Sequence, residues 1–124
     1  MAQILVVDRD EAAAEDMAAV LTRAGHACAW LSDGDRALAL LRWRWLDLVL
    51  LDEQLPGLSG TQVLRELRNS AMNYDTAVIM MGECPDGTGA QGHLHKPFER
   101  RDLLRKVALT LDPLAERPRR RARA

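Results

Sequence analysis

A doubly wound α/β domain, a parallel sheet with helices on both faces, is the fold class this chain predicts. Three observations predict it. Short apolar runs alternate with helical patterns from one end to the other. The run at 48–51 is wholly apolar and is bounded by the turn signal Leu55-Pro56-Gly57, which suits a strand buried on both faces. That strand ends on a carboxylate, Asp52. Open α/β sheets place their ligands at the C-terminal rim, so Asp52 is a functional candidate rather than a surface acid.

The elements follow in order. Residues 4–7 (ILVV) form a strand. Residues 11–24 carry Ala13, Met17, Val20, Leu21 and Ala24 on one helical stripe, closed by Gly25. Residues 26–31 make a second, less apolar strand, as suits a sheet edge. Ser32 or Asp33 caps a helix bearing Ala37, Leu38 and Leu41. After strand 47–51 comes a helix over about 60–69, with Val63, Leu64 and Leu67 inward. Residues 77–81 are a fourth strand and 92–95 a short fifth. A last helix spans 99–111, with Leu103, Leu104, Val107 and Leu111 on one face. Right-handed crossovers then give a five-stranded parallel sheet.

One crossover is short. Ten residues, GECPDGTGAQ, separate Met81 from Gly92, and four of them are Gly or Pro. The helix expected there is missing or a single turn, and apolar surface left uncovered would suit a partner or a second copy of the chain.

Composition narrows the function. The 124 residues suit one domain. No apolar run approaches the about 18 residues of a membrane span, and the N-terminus lacks a signal peptide's charged region, so a cytoplasmic location and no membrane contact are expected. The net charge is −1, but residues 117–124 hold five arginines and no acid, leaving −6 for residues 1–116. An acidic body predicts no nucleic-acid surface. The segment 113–124 is expected to be a basic, disordered tail beyond a domain at 1–112. Cys28 and Cys84 read as incidental thiols.

Parallel strands deliver their C-terminal ends to one rim, so Asp8, Asp52, Gly82 and Lys96 converge there. Two carboxylates and an ammonium suit an aspartate that accepts a phosphoryl group, with the lysine and a Mg²⁺ ion neutralising the phosphoryl oxygens. Three segments, ILVVD (4–8), DLVLLD…LPG..G (47–60) and KPF (96–98), resemble the receiver domain of two-component response regulators. The resemblance covers residues 3 to about 111. It implies the flavodoxin-like strand order 2-1-3-4-5, Asp52 as phosphoacceptor and Asp8 as the first acid of the metal pair. It further implies that the Gln54 backbone carbonyl binds Mg²⁺, that Lys96 contacts the phosphoryl group, and that the Lys96–Pro97 bond is cis.

Three positions depart from that pattern. Arg9 stands where the family carries a second metal-binding acid, and a guanidinium opposes a cation or replaces it, so Mg²⁺ binding is expected to be weak. Asp10 and Glu53 are nearby acids that would compensate, although Asp10 suits a helix cap better. Gly82 replaces the family's Thr or Ser, and His93 its switching aromatic. The leading function is a single-domain response regulator, not an enzyme acting on other substrates. It would take a phosphoryl group from a sensor histidine kinase or phosphotransfer protein and signal to a downstream protein target. The alternative is a phosphorylation-independent pseudo-receiver with Arg9 in place of the metal. Zinc at Cys84, His93 and His95, a phosphate loop at 82–89, and a nucleotide- or flavin-binding site are weaker readings, for want of a tetrahedral ligand set, a loop lysine and a Gly-rich first turn respectively. Trp43 and Trp45 cannot both face the core; one is expected buried and the other against an arginine stem or in an interface.

Overall fold

The computed structural model describes residues 1–83 and 89–112. Its strands are β1 (Gln3–Val7), β2 (Ala27–Leu31), β3 (Leu48–Asp52), β4 (Ala77–Met81) and β5 (Gly92–Leu94). Its helices are α1 (Glu11–Arg23), α2 (Gly34–Leu41), α3 (Gly60–Arg68) and α4 (Arg100–Leu111). The strands pair in parallel in the order β2-β1-β3-β4-β5, the doubly wound arrangement expected.

Strand periodicity splits the core into two layers. Ile4, Val6, Leu48, Leu50, Ala77 and Ile79 face α1 and α4, where Met17, Leu21, Leu103 and Val107 meet them. Leu5, Val7, Val49, Leu51, Val78 and Met80 face α2 and α3, against Leu38, Leu41, Val63 and Leu64. Side chains two apart on a strand share a face, so β1, β3 and β4 must be apolar at every position. They are, apart from Gln3 at the start of β1 and Asp52 at the end of β3, and all five residues are buried in β3 and in β4.

The helix starts are chemically specified. Asp10 accepts the Ala13 N–H at 3.2 Å, and Asp33 accepts the Arg36 N–H at 2.7 Å. Ser59 and Gln62 exchange bonds across the first turn of α3. Each such cap is worth about 1 kcal/mol. Gly60, the first residue of α3, lies against the end of β3. A Cβ there would come within 2.8 Å of Glu53 Cα and closer still to the Asp52 carbonyl oxygen. Neither is a flexible side chain that can turn away. Gly60→Ala is therefore expected to push α3 off the strand end and cost about 2 kcal/mol, measured by urea unfolding.

The rim opposite Asp52 is knitted by a buried asparagine. Asn73 is 0% exposed. Its Nδ2 donates to the Leu41 and Arg44 carbonyls at 2.7 and 2.9 Å. Its Oδ1 accepts from Leu46 N–H at 3.0 Å and Thr76 Oγ1 at 2.8 Å. All four of its hydrogen-bonding sites are used.

Of the short crossover, residues 82–83 and 89–91 are described and none is helical; 84–88 lie outside the described residues. The expectation that a reduced crossover uncovers the sheet is not met, because Val78 and Met80 are 0% exposed. Arg68 from α3 ties the return segment down. It donates to the Thr76 carbonyl at 2.7 Å, the Gly89 carbonyl at 3.1 Å and Gln91 Oε1 at 2.8 Å. Gln91 Oε1 also accepts the Val78 N–H at 2.8 Å, extending the β4–β5 pairing by a side chain.

Both tryptophans of the RWRW corner are exposed, Trp43 at 67% and Trp45 at 38%, which corrects the expectation that one would be buried. The corner precedes β3 on the Asn73 rim, where the core is already closed by Leu46 at 2% exposure. Among the described residues no helix is long and apolar enough to cross a membrane. Cys84 and the tail 113–124 lie outside the described residues. Cys28 is half-buried, and burial pushes its thiol up to about 11, away from reactivity.

Candidate functional site

Strand register assembles the site. Val7 of β1 pairs with Leu51 of β3, so the next residue on each strand, Asp8 and Asp52, stand side by side. Both are buried, at 0% and 2% exposure. Lys96 follows β5 and reaches back over the rim. Its Nζ lies 2.7 Å from Asp8 Oδ2 and 3.2 Å from Asp52 Oδ2, joining both acids. The Lys96–Pro97 peptide is cis.

Backbone donors hold the remaining oxygens. Asp8 Oδ1 accepts the Asp10 N–H at 2.9 Å, and Asp52 Oδ1 accepts the Gln54 N–H at 3.1 Å. Asp52 Oδ2 also faces the Arg9 N–H, at the long distance of 3.5 Å. The pocket is open beside the pair. Asp8, Asp10, Lys96, Ala13, Met17 and Phe98 border a groove of about 520 Å³ between the rim and α1.

The charges divide by exposure. Burial pushes the Asp8 carboxyl above its ordinary 3.8, and the Lys96 ammonium and Asp10 N–H only partly offset it. Burial alone would lower Lys96. The hydrogen bond and charge of Asp8, with those of Asp52, outweigh that and hold the ammonium above 10.5. The two directions agree physically, since the desolvation cost falls on the fully buried acid and the lysine side chain keeps 36% exposure. The two carboxylates thus share one ammonium, that of Lys96.

The comparisons with known proteins decide the family. The profile of the response regulator receiver domain matches residues 4–108. This chain belongs to the response regulator receiver domain family. The phosphate regulon transcriptional regulatory protein PhoB of Escherichia coli is 35% identical over 116 residues, which take in 86% of this chain and 51% of PhoB. The chain thus spans about half the length of the curated relatives it matches. Among solved structures, the chemotaxis response regulator CheY4 of Vibrio cholerae superposes with a TM-score of 0.83 at 26% identity, over 90% of this chain and 99% of that one. The receiver domain of sensor histidine kinase PA1611 from Pseudomonas aeruginosa does so at 0.80 and 25% identity, over 90% of this chain and 98% of that one. That structure holds a magnesium ion in its active site cleft. The family is one of signalling proteins rather than catalytic enzymes.

The departures from the receiver pattern now have positions. Arg9 does not occupy the metal position. Its side chain is exposed, no ion pair among the described residues joins it to Asp8 or Asp52, and the cation between the acids is Lys96. Arg9 follows Asp8 at the bend that leads into α1, and a solvated guanidinium avoids the burial cost the pocket would impose. The two neighbouring acids each make other bonds. Asp10 caps α1, and Glu53 Oε2 accepts both the N–H and hydroxyl of Thr61, at 2.9 and 2.6 Å. The Glu53–Thr61 clasp, which fixes the β3–α3 loop, went unforeseen because its partners are eight residues apart in no recognisable motif.

Asp8, Asp52 and the Gln54 carbonyl are the donors that the receiver resemblance leads one to expect for Mg²⁺. Two buried carboxylates with spare lone pairs fit a small, mostly hydrated divalent ion. No group of three or more His, Cys, Asp or Glu side chains capable of holding a metal occurs among the described residues. His93 and His95 stack on one another, ring centroids 4.5 Å apart, rather than converging on a ligand position.

Gly82 lies on the β4 side of the acids. An ideal Cβ on it would be 3.8 Å from Asp52 Oδ1, an ordinary contact. What excludes other residues is its backbone, at φ +83°. His93 Nε2 bonds the Gly82 carbonyl.

Proposed function

We propose that this receiver accepts a phosphoryl group on Asp52 from a histidine kinase or phosphotransfer protein and passes the signal by protein–protein contact. The observation that carries this reading is the shared lysine, an ammonium within hydrogen-bond reach of two buried carboxylates at an open rim. Asp52 Oδ attacks phosphorus as the bond to the donor's imidazole nitrogen breaks, and that nitrogen leaves with the bonding pair. Lys96 lies where charge builds on the phosphoryl oxygens and can swing from Asp52 to them while keeping Asp8. The Gln54 N–H orients the carboxylate. Mg²⁺, held by Asp8, Asp52 and the Gln54 carbonyl, would supply further charge neutralisation. Its affinity is low for this family because Arg9 supplies no third acid. Residues 1–112 form the signalling unit and 113–124 a basic tail. The exposed leucines of α4, Leu104 at 37% and Leu109 at 55%, suit a downstream target or a second copy.

A second reading has its own support. Lys96 already bridges both acids internally, so the chain can hold one state without phosphorylation; the lysine, not Arg9, is the fixed cation. One experiment separates the two. Incubation with acetyl phosphate and Mg²⁺, followed by intact mass, is expected to add one phosphoryl group to the wild type and none to Asp52→Asn. Arg9→Asp is expected to be labelled at lower Mg²⁺. Absence of labelling across a wide Mg²⁺ range removes the phosphoacceptor reading and leaves the second.

A further inference from the structure

Gly82, the residue that follows β4, lies between Asp52 and β5. Met81 is in register with Asp52, and its carbonyl accepts the Glu53 N–H at 3.1 Å. Gly82 has no side chain with which to follow a new oxygen on Asp52. Its two backbone groups are also engaged. The Gly82 N–H donates to the Leu94 carbonyl at 2.9 Å, and the Gly82 carbonyl accepts from the His93 ring. Both partners come from β5. His95 stacks against the His93 ring at an interplanar angle of 23°, which fixes its plane.

A carbonyl only accepts, so His93 must donate. Neutral imidazole with its proton on Nε2 does so, and imidazolium does too, so the bond holds in either form. Glycine adopts the φ of +83° without strain, so what holds the corner is the pair of bonds from β5.

We infer that the His93 ring and the Leu94 carbonyl lock the β4–β5 corner, so that it keeps one conformation whether or not Asp52 carries a phosphoryl group. The consequence for signalling rests on the phosphoacceptor reading; the lock itself does not. A change at Asp52 then leaves the site through Lys96 and the β3–α3 loop instead of through β5.

Amide hydrogen exchange and NMR chemical shifts on the full chain test it in two arms. In the unmodified protein, His93→Ala is expected to speed exchange of the Gly82 amide about ten-fold, while His93→Gln, which keeps an N–H donor, restores much of the protection. Unchanged Gly82 exchange in His93→Ala overturns the lock, and His93→Leu, which also lacks the donor, serves in its place should the alanine variant not fold. In the second arm, wild type is treated with acetyl phosphate and Mg²⁺ with occupancy read by intact mass. The Gly82 and Leu94 amides are expected to stay in place while those of Glu53 and Gln54 move. Equal movement at Gly82 and Gln54 overturns it. A mass showing no phosphoryl group defeats the phosphoacceptor reading only, and the first arm still decides the lock.

Discussion

Lys96→Met is expected to destabilise the protein by about 2 kcal/mol at pH 7. Removing one partner of a fully buried ion pair costs about 3–5 kcal/mol, and the value here is discounted because the lysine side chain is 36% exposed. The loss arises from what is left behind: two carboxylates, 0% and 2% exposed, facing each other without a cation. The sign with pH follows. Lys96 holds its proton more tightly folded than unfolded, so its contribution in the wild type is complete below 10.5 and disappears as pH rises through its raised value. Asp8 acts against folding as pH climbs from 3.8 through its own raised value, because the folded state prefers it protonated. Without Lys96 that penalty grows. The variant should therefore lie closer to wild type at acid pH, where protonation of Asp8 relieves the penalty, and furthest from it at pH 7. Mg²⁺ should restore more stability to the variant than to the wild type. Urea unfolding at both pH values with and without Mg²⁺ measures this, and equal stabilities at pH 7 would contradict the shared-cation geometry.

Asn73→Leu carries the largest expected loss of stability, about 4 kcal/mol. Leucine matches asparagine in shape but satisfies none of its four bonds. The Leu41 and Arg44 carbonyls and the Leu46 N–H are left without that partner, at about 1–3 kcal/mol for each group that water cannot reach. Thr76 Oγ1 keeps the Leu46 carbonyl at 3.0 Å and so loses less. Asn73→Asp should be nearly as damaging, since a carboxylate accepts but cannot donate to the two carbonyls. The rim involved is opposite Asp52, so any protein that still folds should retain phosphoryl labelling. A loss under 1 kcal/mol in urea would show that the rim relaxes to find other partners.

Much of this was readable from the chain because periodicity and turn chemistry are local. The stripe Met17, Val20, Leu21 defines the buried face of α1, and the caps Asp10, Asp33 and Ser59 start their helices as their side chains dictate. The apolar run at 48–51 required a central strand, and parallel pairing then obliged Asp8 and Asp52 to share a rim. Other features gave no local signal. Nothing in SAMNYD marks Asn73 as buried, since an asparagine before a strand reads as a turn residue. Arg68 reads as a solvated helix end, yet it clasps a segment more than twenty residues away.

The order of residues along the chain was enough for the alternation of strands and helices, the family, and the acids and lysine that would meet. Which cation sits between the acids became visible only with the chain folded. Arg9 and Lys96 are both positive, and composition cannot choose between them. The choice is geometric: Arg9 lies exposed at the bend into α1, whereas the chain after β5 carries the Lys96 ammonium back over Asp8 and Asp52. Contacts that depend on direction, between residues far apart in the chain, emerge only when the strands are laid side by side.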